Sequence, residues 1–337
     1  MSSEMEDLDV QGSRITTAQV HGPLRVLSLT GGGYRGLFTA RSLVSLCEAA
    51  RQTGAMGNAI DVFAGTSIGG IMACALAVGV IPHRVLDAID AHGPMVFQNK
   101  SASTLRRALF GALYDTDHLS KAIDAALGPH ASTRLSDLSH GLLVPAVDWS
   151  KGCVQIFMSA YFGKAHASDA TLKEVCLATS AAPTYFKPAQ VNGAPMLDGG
   201  LAANNPDVLA VLEILRRFPD VLHRVEMLSI GTAGFEAHRP PSKAGRSGLG
   251  WAPDLPTFMI DVQERTAAAQ AKSLLGPRYL RVNHPGEPQA AFTQLDAATP
   301  GAREALMRAA DNAAQDAYAL SGAFIDRMFN PGRVAVH

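Results

Sequence analysis

Twice within its first 80 residues the chain passes from a short β-type run, through a glycine-rich turn, into a pattern of helical period. Residues 25–29 precede three glycines and a helical pattern over 35–51. Residues 60–64 precede a second glycine turn and an apolar helical pattern over 68–78. Since parallel strands need a helical crossover between them, this order predicts a parallel sheet covered on both faces.

The remaining periodicity continues the α/β order, and 47% hydrophobic against 18% charged residues is typical of a globular protein. We predict a flexible lead over residues 1–22 and one α/β domain over 23–337, with three layers and a mostly parallel central sheet. Thr116 is the expected N-cap of a helix that ends at Gly128. The other predicted elements are polar-faced helices within 83–128, strands at 142–147, 154–160 and 225–230, helices at 172–181 and 204–218, a Pro- and Gly-rich loop over 237–256, and C-terminal helices within 257–329.

Charge and cysteine spacing exclude several classes of protein. The formal net charge of −1 does not suit a protein that binds DNA or RNA polymers. No two of the four cysteines have the spacing of a metal or redox pair, so we expect no metal site. The acidic N-terminus is not a secretory signal, and the uncharged stretch 62–82 is interpreted as a strand, a turn and a buried helix. These features predict a cytoplasmic protein.

One glycine turn contains a candidate nucleophile. It has the pattern G-x-S-x-G and lies between an apolar strand and an apolar helix, the context of a nucleophile elbow. Ser67 would then stand at a helix N-terminus, where backbone N–H groups favour developing negative charge. The competing interpretation is an ordinary Gly/Ser turn. The turn consists of Gly65, Thr66, Ser67, Ile68 and Gly69.

The other glycine turn has two interpretations. Successive glycines at a strand end can direct several N–H groups into one concavity, as an oxyanion hole requires. The same glycines satisfy the dinucleotide fingerprint G-x-G-x-x-G, which would indicate an oxidoreductase. That alternative needs an acidic residue at the end of the second strand, but Asp61 lies at its beginning. The loop consists of Gly31, Gly32, Gly33, Tyr34, Arg35 and Gly36.

A third turn, Asp198-Gly199-Gly200, follows an apolar lead. A carboxylate on a tight glycine turn has a defined position, and partial burial would raise its pKa toward that of a useful base. The alternative is a turn aspartate that only caps backbone N–H groups. The motif thus provides a candidate partner for Ser67.

Together the three turns resemble the patatin-like phospholipase family in order and spacing. The resemblance extends to residues 178–186 and to Asn204-Asn205-Pro206, and it covers residues 24–232. It implies a patatin-like three-layer fold and a phospholipase A that cleaves fatty acyl esters of membrane phospholipids without a cofactor. It further implies a Ser67–Asp198 dyad without histidine, an oxyanion held by N–H groups of the 31–36 loop, and Arg35 as an organiser of that loop.

Two alternatives stay open beside this dyad. An α/β-hydrolase triad needs a histidine after the acid, and His223, His238 and His284 all follow Asp198, although none has a distinctive strand-end context. A non-catalytic binder on the same scaffold would hold Ser67 and Asp198 poorly aligned. Activity after replacement of each histidine distinguishes the first alternative from the dyad.

Further stretches resemble a bacterial branch of the family, the CBASS anti-phage effectors that a cyclic dinucleotide activates. The stretches are 29–31, 65–70, 143–147 and 155–157. The resemblance implies a cyclic dinucleotide activator, peripheral contact with the inner membrane, and a homo-oligomer as one option. Residues 249, 251 and 255 are apolar candidates for lipid contact. Candidate ligand-binding residues in the Pro- and Gly-rich loop are Arg239, Lys243, Arg246 and Trp251.

Overall fold

A central sheet of eight strands lies between helices in the computed structural model, which describes residues 22–98, 111–234, 255–284 and 294–331. The strands are β1 (Leu24–Leu29), β2 (Val62–Gly65), β3 (Gly141–Asp148), β4 (Cys153–Met158), β5 (Ala189–Val191), β6 (Ala194–Asp198), β7 (Val225–Ile230) and β8 (Tyr279–Val282). The α-helices are α1 (Gly36–Ala49), α2 (Ile68–Ala77), α3 (Pro82–Val96), α4 (Thr116–Leu127), α5 (Leu172–Thr179), α6 (Gly200–Ala203), α7 (Asp207–Arg217), α8 (Leu255–Leu275) and α9 (Pro300–Phe329).

The strand order is β5-β6-β3-β2-β1-β7-β8, and β4 pairs with β3 off this path. Pairing is parallel from β3 through β2, β1 and β7 to β8, whereas β4, β5 and β6 run antiparallel to their neighbours. Helix α1 makes the crossover between the adjacent parallel strands β1 and β2. The predicted mostly parallel sheet is confirmed.

Side chains alternate between two cores, one on each face of the sheet. Leu27 and Phe63 pack into the larger core with α1, α2, α3, α4, α5 and α9. Val26 and Val62 point to the opposite face and pack with α7 and the C-terminal half of α8. Because both faces are covered, the central strands carry apolar residues on both sides. The predicted three layers are confirmed.

Several local predictions need correction. Asp115, not Thr116, is the N-cap of α4, and its carboxylate accepts the N–H of Asp117 at 2.9 Å. Strand β8 interrupts the region predicted as C-terminal helices, and helix α8 begins at Leu255, inside the predicted loop. The predicted lead, apart from residue 22, and the predicted loop over 237–254 lie outside the described residues. The single-domain boundary stays a prediction.

The uncharged stretch 62–82 forms strand β2, the elbow, helix α2 and the first residue of α3. Helix α2 has ten residues, and those from Gly69 to Ala77 are buried. Within the described ranges, no helix combines the length and the hydropathy that crossing a bilayer requires.

Candidate active site

Ser67 lies in the turn between β2 and α2, where the backbone is strained. Its φ of 53° and ψ of −124° belong to a region that residues with a side chain rarely adopt. The turn is possible because Gly65 and Gly69 lack side chains: a Cβ on Gly65 would overlap the carbonyl of Gly69, and one on Gly69 would overlap that of Leu29. The hydroxyl of Ser67 is therefore presented at the N-terminus of α2, as a nucleophile elbow requires.

The Ser67 hydroxyl donates a hydrogen bond to the carboxylate of Asp198, 131 residues later in the chain, with 2.8 Å between Oγ and Oδ2. The second carboxylate oxygen, Oδ1, accepts the N–H of Gly200 at 2.6 Å. A Cβ on Gly199 would overlap the carbonyl of Pro145 in β3, so the aspartate turn packs directly on the sheet. Asp198 is thus fixed from both sides with one oxygen directed at the serine.

Burial sets the acidity of this carboxyl group. Asp198 is only 7% exposed, and burial raises its pKa to about 6, while the Gly200 N–H and the Ser67 hydroxyl act in the opposite direction. A carboxyl group of this pKa is ionised at neutral pH, yet it is a stronger base than a free aspartate. Asp198 can therefore accept the proton of the Ser67 hydroxyl while the serine oxygen attacks an electrophile.

The glycine loop contributes two available donors beside Ser67. The N–H groups of Gly32 and Gly33 have no hydrogen-bond acceptor in the described part of the chain, and both residues line the same cavity as Ser67. Gly33 has a φ of 58°, a conformation that favours glycine. The other loop N–H groups donate within the protein: Gly31 to the carbonyl of Asn204, Tyr34 to that of Leu295, Arg35 to that of Gly32, and Gly36 to those of Gly33 and Tyr34.

Arg35 is buried beneath this loop, 1% exposed. None of its three guanidinium nitrogens has a hydrogen-bond partner among the described residues. Burial lowers the pKa of Arg35, and the nearby charges of Glu264 and Asp261 oppose that effect. Any organising role that Arg35 has in the loop therefore depends on charge and packing, not on side-chain hydrogen bonds.

Two supporting residues were not assigned a role from the sequence. Thr179, at the end of α5, accepts the N–H of Ser67 at 2.9 Å and donates its hydroxyl to the carbonyl of Pro145 at 2.7 Å. Asn204 pairs with Gly31 in both directions, through its carbonyl at 2.9 Å and its Nδ2 at 3.1 Å. Both belong to the stretches that carry the family resemblance, but only the folded chain shows which atoms they hold.

An apolar cavity of about 510 Å³ opens beside the Ser67–Asp198 pair. Its walls come mainly from α2, α3 and α4 and from the segment before β5. A hydrocarbon chain suits such a lining, because most of the residues that line the cavity are apolar. The apolar lining residues include Ile68, Ile71, Ile89, Val96, Phe97, Leu113, Leu119 and Phe186.

The structure does not favour the alternatives. No described histidine forms a hydrogen bond with Ser67 or Asp198. His223 lies in a 3-10 turn, and His284 lines a different cavity. His238 lies outside the described residues. Strand β2 ends in Gly65, without the acidic residue that a dinucleotide site requires. A non-catalytic scaffold with a misaligned pair does not fit the 2.8 Å hydrogen bond.

The candidate ligand residues Arg239, Lys243, Arg246 and Trp251 lie outside the described residues, as does the apolar candidate Leu249.

Comparisons with known proteins identify the family of the chain. The model of the patatin-like phospholipase family matches residues 27–210, more than half of the chain. Curated proteins named cGAMP-activated phospholipase are similar to it. The one from Escherichia coli is 35% identical, over 65% of each chain. The one from Vibrio cholerae is 34% identical, over 67% of this chain and 69% of its own length. The one from Pseudomonas aeruginosa is 32% identical, over 91% of each chain.

The family match includes the glycine loop, the serine elbow and the aspartate turn. The chain therefore belongs to the patatin-like phospholipase family, whose members are lipid acyl hydrolases.

Proposed function

We propose that this protein cleaves fatty acyl esters of membrane phospholipids with Ser67 as nucleophile and Asp198 as base. The observation that carries the proposal is the 2.8 Å hydrogen bond between Ser67 Oγ and Asp198 Oδ2 at the edge of an apolar cavity. The acyl chain occupies the cavity, and the ester carbonyl lies at Ser67. Family membership and the names of the relatives support this assignment.

In the first half of the reaction Ser67 Oγ forms a bond to the ester carbonyl carbon while its proton passes to Asp198. The N–H groups of Gly32 and Gly33 stabilise the oxyanion that develops. When the tetrahedral intermediate collapses, the ester C–O bond breaks and the lysophospholipid alkoxide takes the proton from Asp198. The acyl group remains on Ser67.

Water completes the reaction. It attacks the acyl-enzyme carbonyl while Asp198 accepts its proton, and the Ser67 oxygen leaves and recovers that proton from Asp198. The free fatty acid is released, and the site returns to its starting state. A single carboxylate serves both halves because its raised pKa lets it accept and return a proton near neutral pH.

A serine-directed probe tests this assignment. We expect a fluorophosphonate to label the purified protein once, at Ser67, and Ser67→Ala to lose both the label and the release of lysophospholipid from mixed phosphatidylethanolamine and phosphatidylglycerol vesicles. Mass spectrometry of peptides and lipids measures both. Hydrolysis that persists in Ser67→Ala contradicts the proposal, and stabilisation of the fold by NAD would instead support the dinucleotide alternative.

The cavity mouth carries exposed apolar side chains, which supports peripheral contact with the inner membrane. Leu201 lines the cavity and is 51% exposed, and Ile260 of α8 also lines it. On either side of Ile260, Met259 is 62% and Val262 47% exposed. Apolar side chains around a lipid site can insert between headgroups and let an acyl chain enter without crossing water.

We expect Met259→Asp to reduce hydrolysis of phospholipid vesicles several-fold, because a charge at the cavity mouth opposes insertion into the bilayer. Hydrolysis of a short-chain monomeric ester, which needs no membrane, should change little. Leu274→Asp is the matched control, since Leu274 is 42% exposed on the same helix and does not line the cavity. Equal effects of the two variants on vesicle hydrolysis would contradict a membrane contact at this mouth.

We also propose that a cyclic dinucleotide activates the enzyme, because the similar bacterial proteins are named cGAMP-activated phospholipases. Activation by a nucleotide requires a site separate from the apolar cavity, since a charged sugar-phosphate ring is poorly matched to a hydrocarbon-lined wall. The loop residues 239–251 are one location that the sequence predicts. A homo-oligomer stays a prediction.

A further inference from the structure

Helix α8 holds the segment that follows the aspartate turn. The side-chain oxygen Oε1 of Gln263 accepts the backbone N–H of Asn204 at 2.5 Å. The carbonyl of Glu264 accepts Nδ2 of Asn205 at 3.5 Å, and Glu264 Oε2 lies 3.4 Å from Nδ2 of Asn204. Of these three contacts, the bond to Gln263 is the shortest, and it is the one that holds the backbone of residue 204.

Asn204 needs this acceptor because its N–H lies at the end of a very short helix. Helix α6 has four residues, and Asn204 is its C-cap. No backbone carbonyl in the described part of the chain accepts the Asn204 N–H, and the residue is 4% exposed. A buried N–H without an acceptor destabilises a fold. The side chain of Gln263 therefore satisfies a donor that the backbone leaves unpaired.

The segment held by Gln263 contacts two of the catalytic turns. The carbonyl of Asn204 accepts the N–H of Gly31 at 2.9 Å, and its Nδ2 donates to the carbonyl of Gly31 at 3.1 Å. The carbonyl of Ala203 accepts the hydroxyl of Thr66 at 2.6 Å. Gly31 directly precedes the two available oxyanion donors, and Thr66 directly precedes the nucleophile. This segment therefore fixes the oxyanion loop relative to the serine.

Little space separates these groups. A Cβ on Gly31 would come within 2.4 Å of Asn204 Oδ1 and 3.3 Å of Ser67 Cβ. Because Gly31 is hydrogen-bonded to Asn204 in both directions, a shift of Asn204 moves Gly31 and the donors that follow it. Catalytic groups need to be held within about 0.5 Å of their productive geometry, so a small shift matters.

We propose that Gln263 is a positioning residue for ester hydrolysis: by accepting the Asn204 N–H it sets the distance between the oxyanion donors and Ser67. The inference rests on the mechanism given under the proposed function. Gln263 does not line the cavity at Ser67, so it acts through Asn204 and not on the substrate. Ile260, three residues earlier in α8, does line that cavity, so one helix forms part of the acyl site and supports the loop.

The neighbouring Glu264 also contacts Asn204, but its replacement would have a wider effect. Its carboxylate is buried and pairs with Arg281 at 2.5 Å, and Arg281 donates to the hydroxyl of Thr30 at 2.8 Å. Removal of one partner from a buried ion pair leaves an uncompensated charge and is strongly destabilising. Gln263 is neutral and half-buried, so its replacement removes one hydrogen bond and no buried charge.

The test compares three variants of α8 in the full chain. Gln263→Met keeps nearly the length of the side chain and leaves only a weak acceptor, whereas Gln263→Glu keeps an oxygen acceptor. Gln270→Met is the matched control, because Gln270 is exposed on the same helix and does not line the cavity. Hydrolysis of a water-soluble short-chain ester gives kcat and KM, and fluorophosphonate labelling counts the active sites.

We expect Gln263→Met to lower kcat per labelled site by about 10- to 100-fold, since misplacement of a catalytic group by about 1 Å can cost about 10²-fold. KM should change by less than about three-fold, because the lost hydrogen bond does not touch the substrate. Gln263→Glu should keep kcat within about three-fold of wild type, because its carboxylate can accept the same N–H. Gln270→Met should match wild type.

Each outcome decides between a positioning role and a structural one. A loss of kcat in Gln263→Met that Gln263→Glu recovers supports the positioning role. Wild-type kcat per labelled site in Gln263→Met overturns it, even if that variant unfolds at a lower temperature, and so do equal losses in both Gln263 variants. Hydrolysis that persists in Ser67→Ala would instead contradict the proposed dyad, whatever the Gln263 variants show.

Discussion

Asp198→Asn is expected to lower phospholipid hydrolysis by about 10³- to 10⁴-fold while the protein stays folded. Asparagine has nearly the shape of aspartate, and its Oδ1 can still accept the N–H of Gly200, which lies 2.6 Å from the carboxylate. Its amide can donate to Ser67 Oγ, but it cannot take the serine proton. The initial rate of lysophospholipid release measures the effect.

The surface variant Asp220→Asn is the control, because Asp220 is exposed and distant in the chain from the proposed base. Its rate should equal that of wild type. An Asp198→Asn enzyme with more than about a tenth of the wild-type rate would exclude Asp198 as the general base, because such bases contribute at least about 10²-fold.

The same carboxyl group links activity and stability to pH. Its pKa is about 6 in the fold and 3.8 in a model peptide. Hydrolysis by wild type should therefore fall as the pH drops below about 6, where Asp198 becomes protonated. A raised pKa in the folded state means that this group favours folding fully below about pH 4 and loses that contribution as the pH rises through about 6.

Asp198→Asn carries no charge at any pH, so it should unfold at a higher temperature than wild type at about pH 8, and the difference should vanish at about pH 4. The difference between the two pKa values corresponds to at most about 3 kcal/mol in the free energy of unfolding. Calorimetric unfolding at the two pH values measures this. A variant less stable than wild type at pH 8 would show that the ionised carboxylate stabilises the fold.

The sequence was sufficient for the parts of the site that depend on local geometry. Glycines next to Ser67 and Asp198 mark sharp turns because those positions need close backbone approach, and that requirement is visible in the residue type. The alternation of strands and helices likewise predicts the sheet. Strand β8 was not predicted, because it has only four residues and lies between two helices. Its pairing with β7 depends on packing at the sheet edge, which the residue pattern does not show.

Contacts between distant parts of the chain were beyond sequence reasoning. The N–H of Ser67 bonds to Thr179, 112 residues away, and Tyr34 bonds to Leu295, so only the folded chain shows which loop N–H groups remain available. The sequence suggests six residues for the oxyanion loop, whereas among the described residues only the N–H groups of Gly32 and Gly33 in this loop have no hydrogen-bond acceptor. No motif marks Gln263 either, since its bond to Asn204 joins positions 59 residues apart.

Gly69→Ala is expected to destabilise the fold by more than about 3 kcal/mol, a large part of the stability of a typical domain. The added Cβ would overlap the carbonyl of Leu29 and come within 2.8 Å of the carbonyl oxygen of Thr30. Both are backbone atoms at the end of β1, which pairs with β2 on one side and β7 on the other. They cannot move without breaking hydrogen bonds of the central sheet, so the overlap cannot be relieved cheaply.

Gly301→Ala is the matched control, because nothing lies within 4 Å of a Cβ there and the residue is in the first turn of α9. Alanine favours a helix over glycine, so this variant should be as stable as wild type or up to about 1 kcal/mol more stable. Urea unfolding gives both values. A Gly69→Ala midpoint equal to that of wild type would mean that α2 can move away from β1, and the strained Ser67 would then not be held by packing. The expected loss instead makes the second glycine of G-x-S-x-G a requirement for contact between α2 and β1, independent of any role in the reaction.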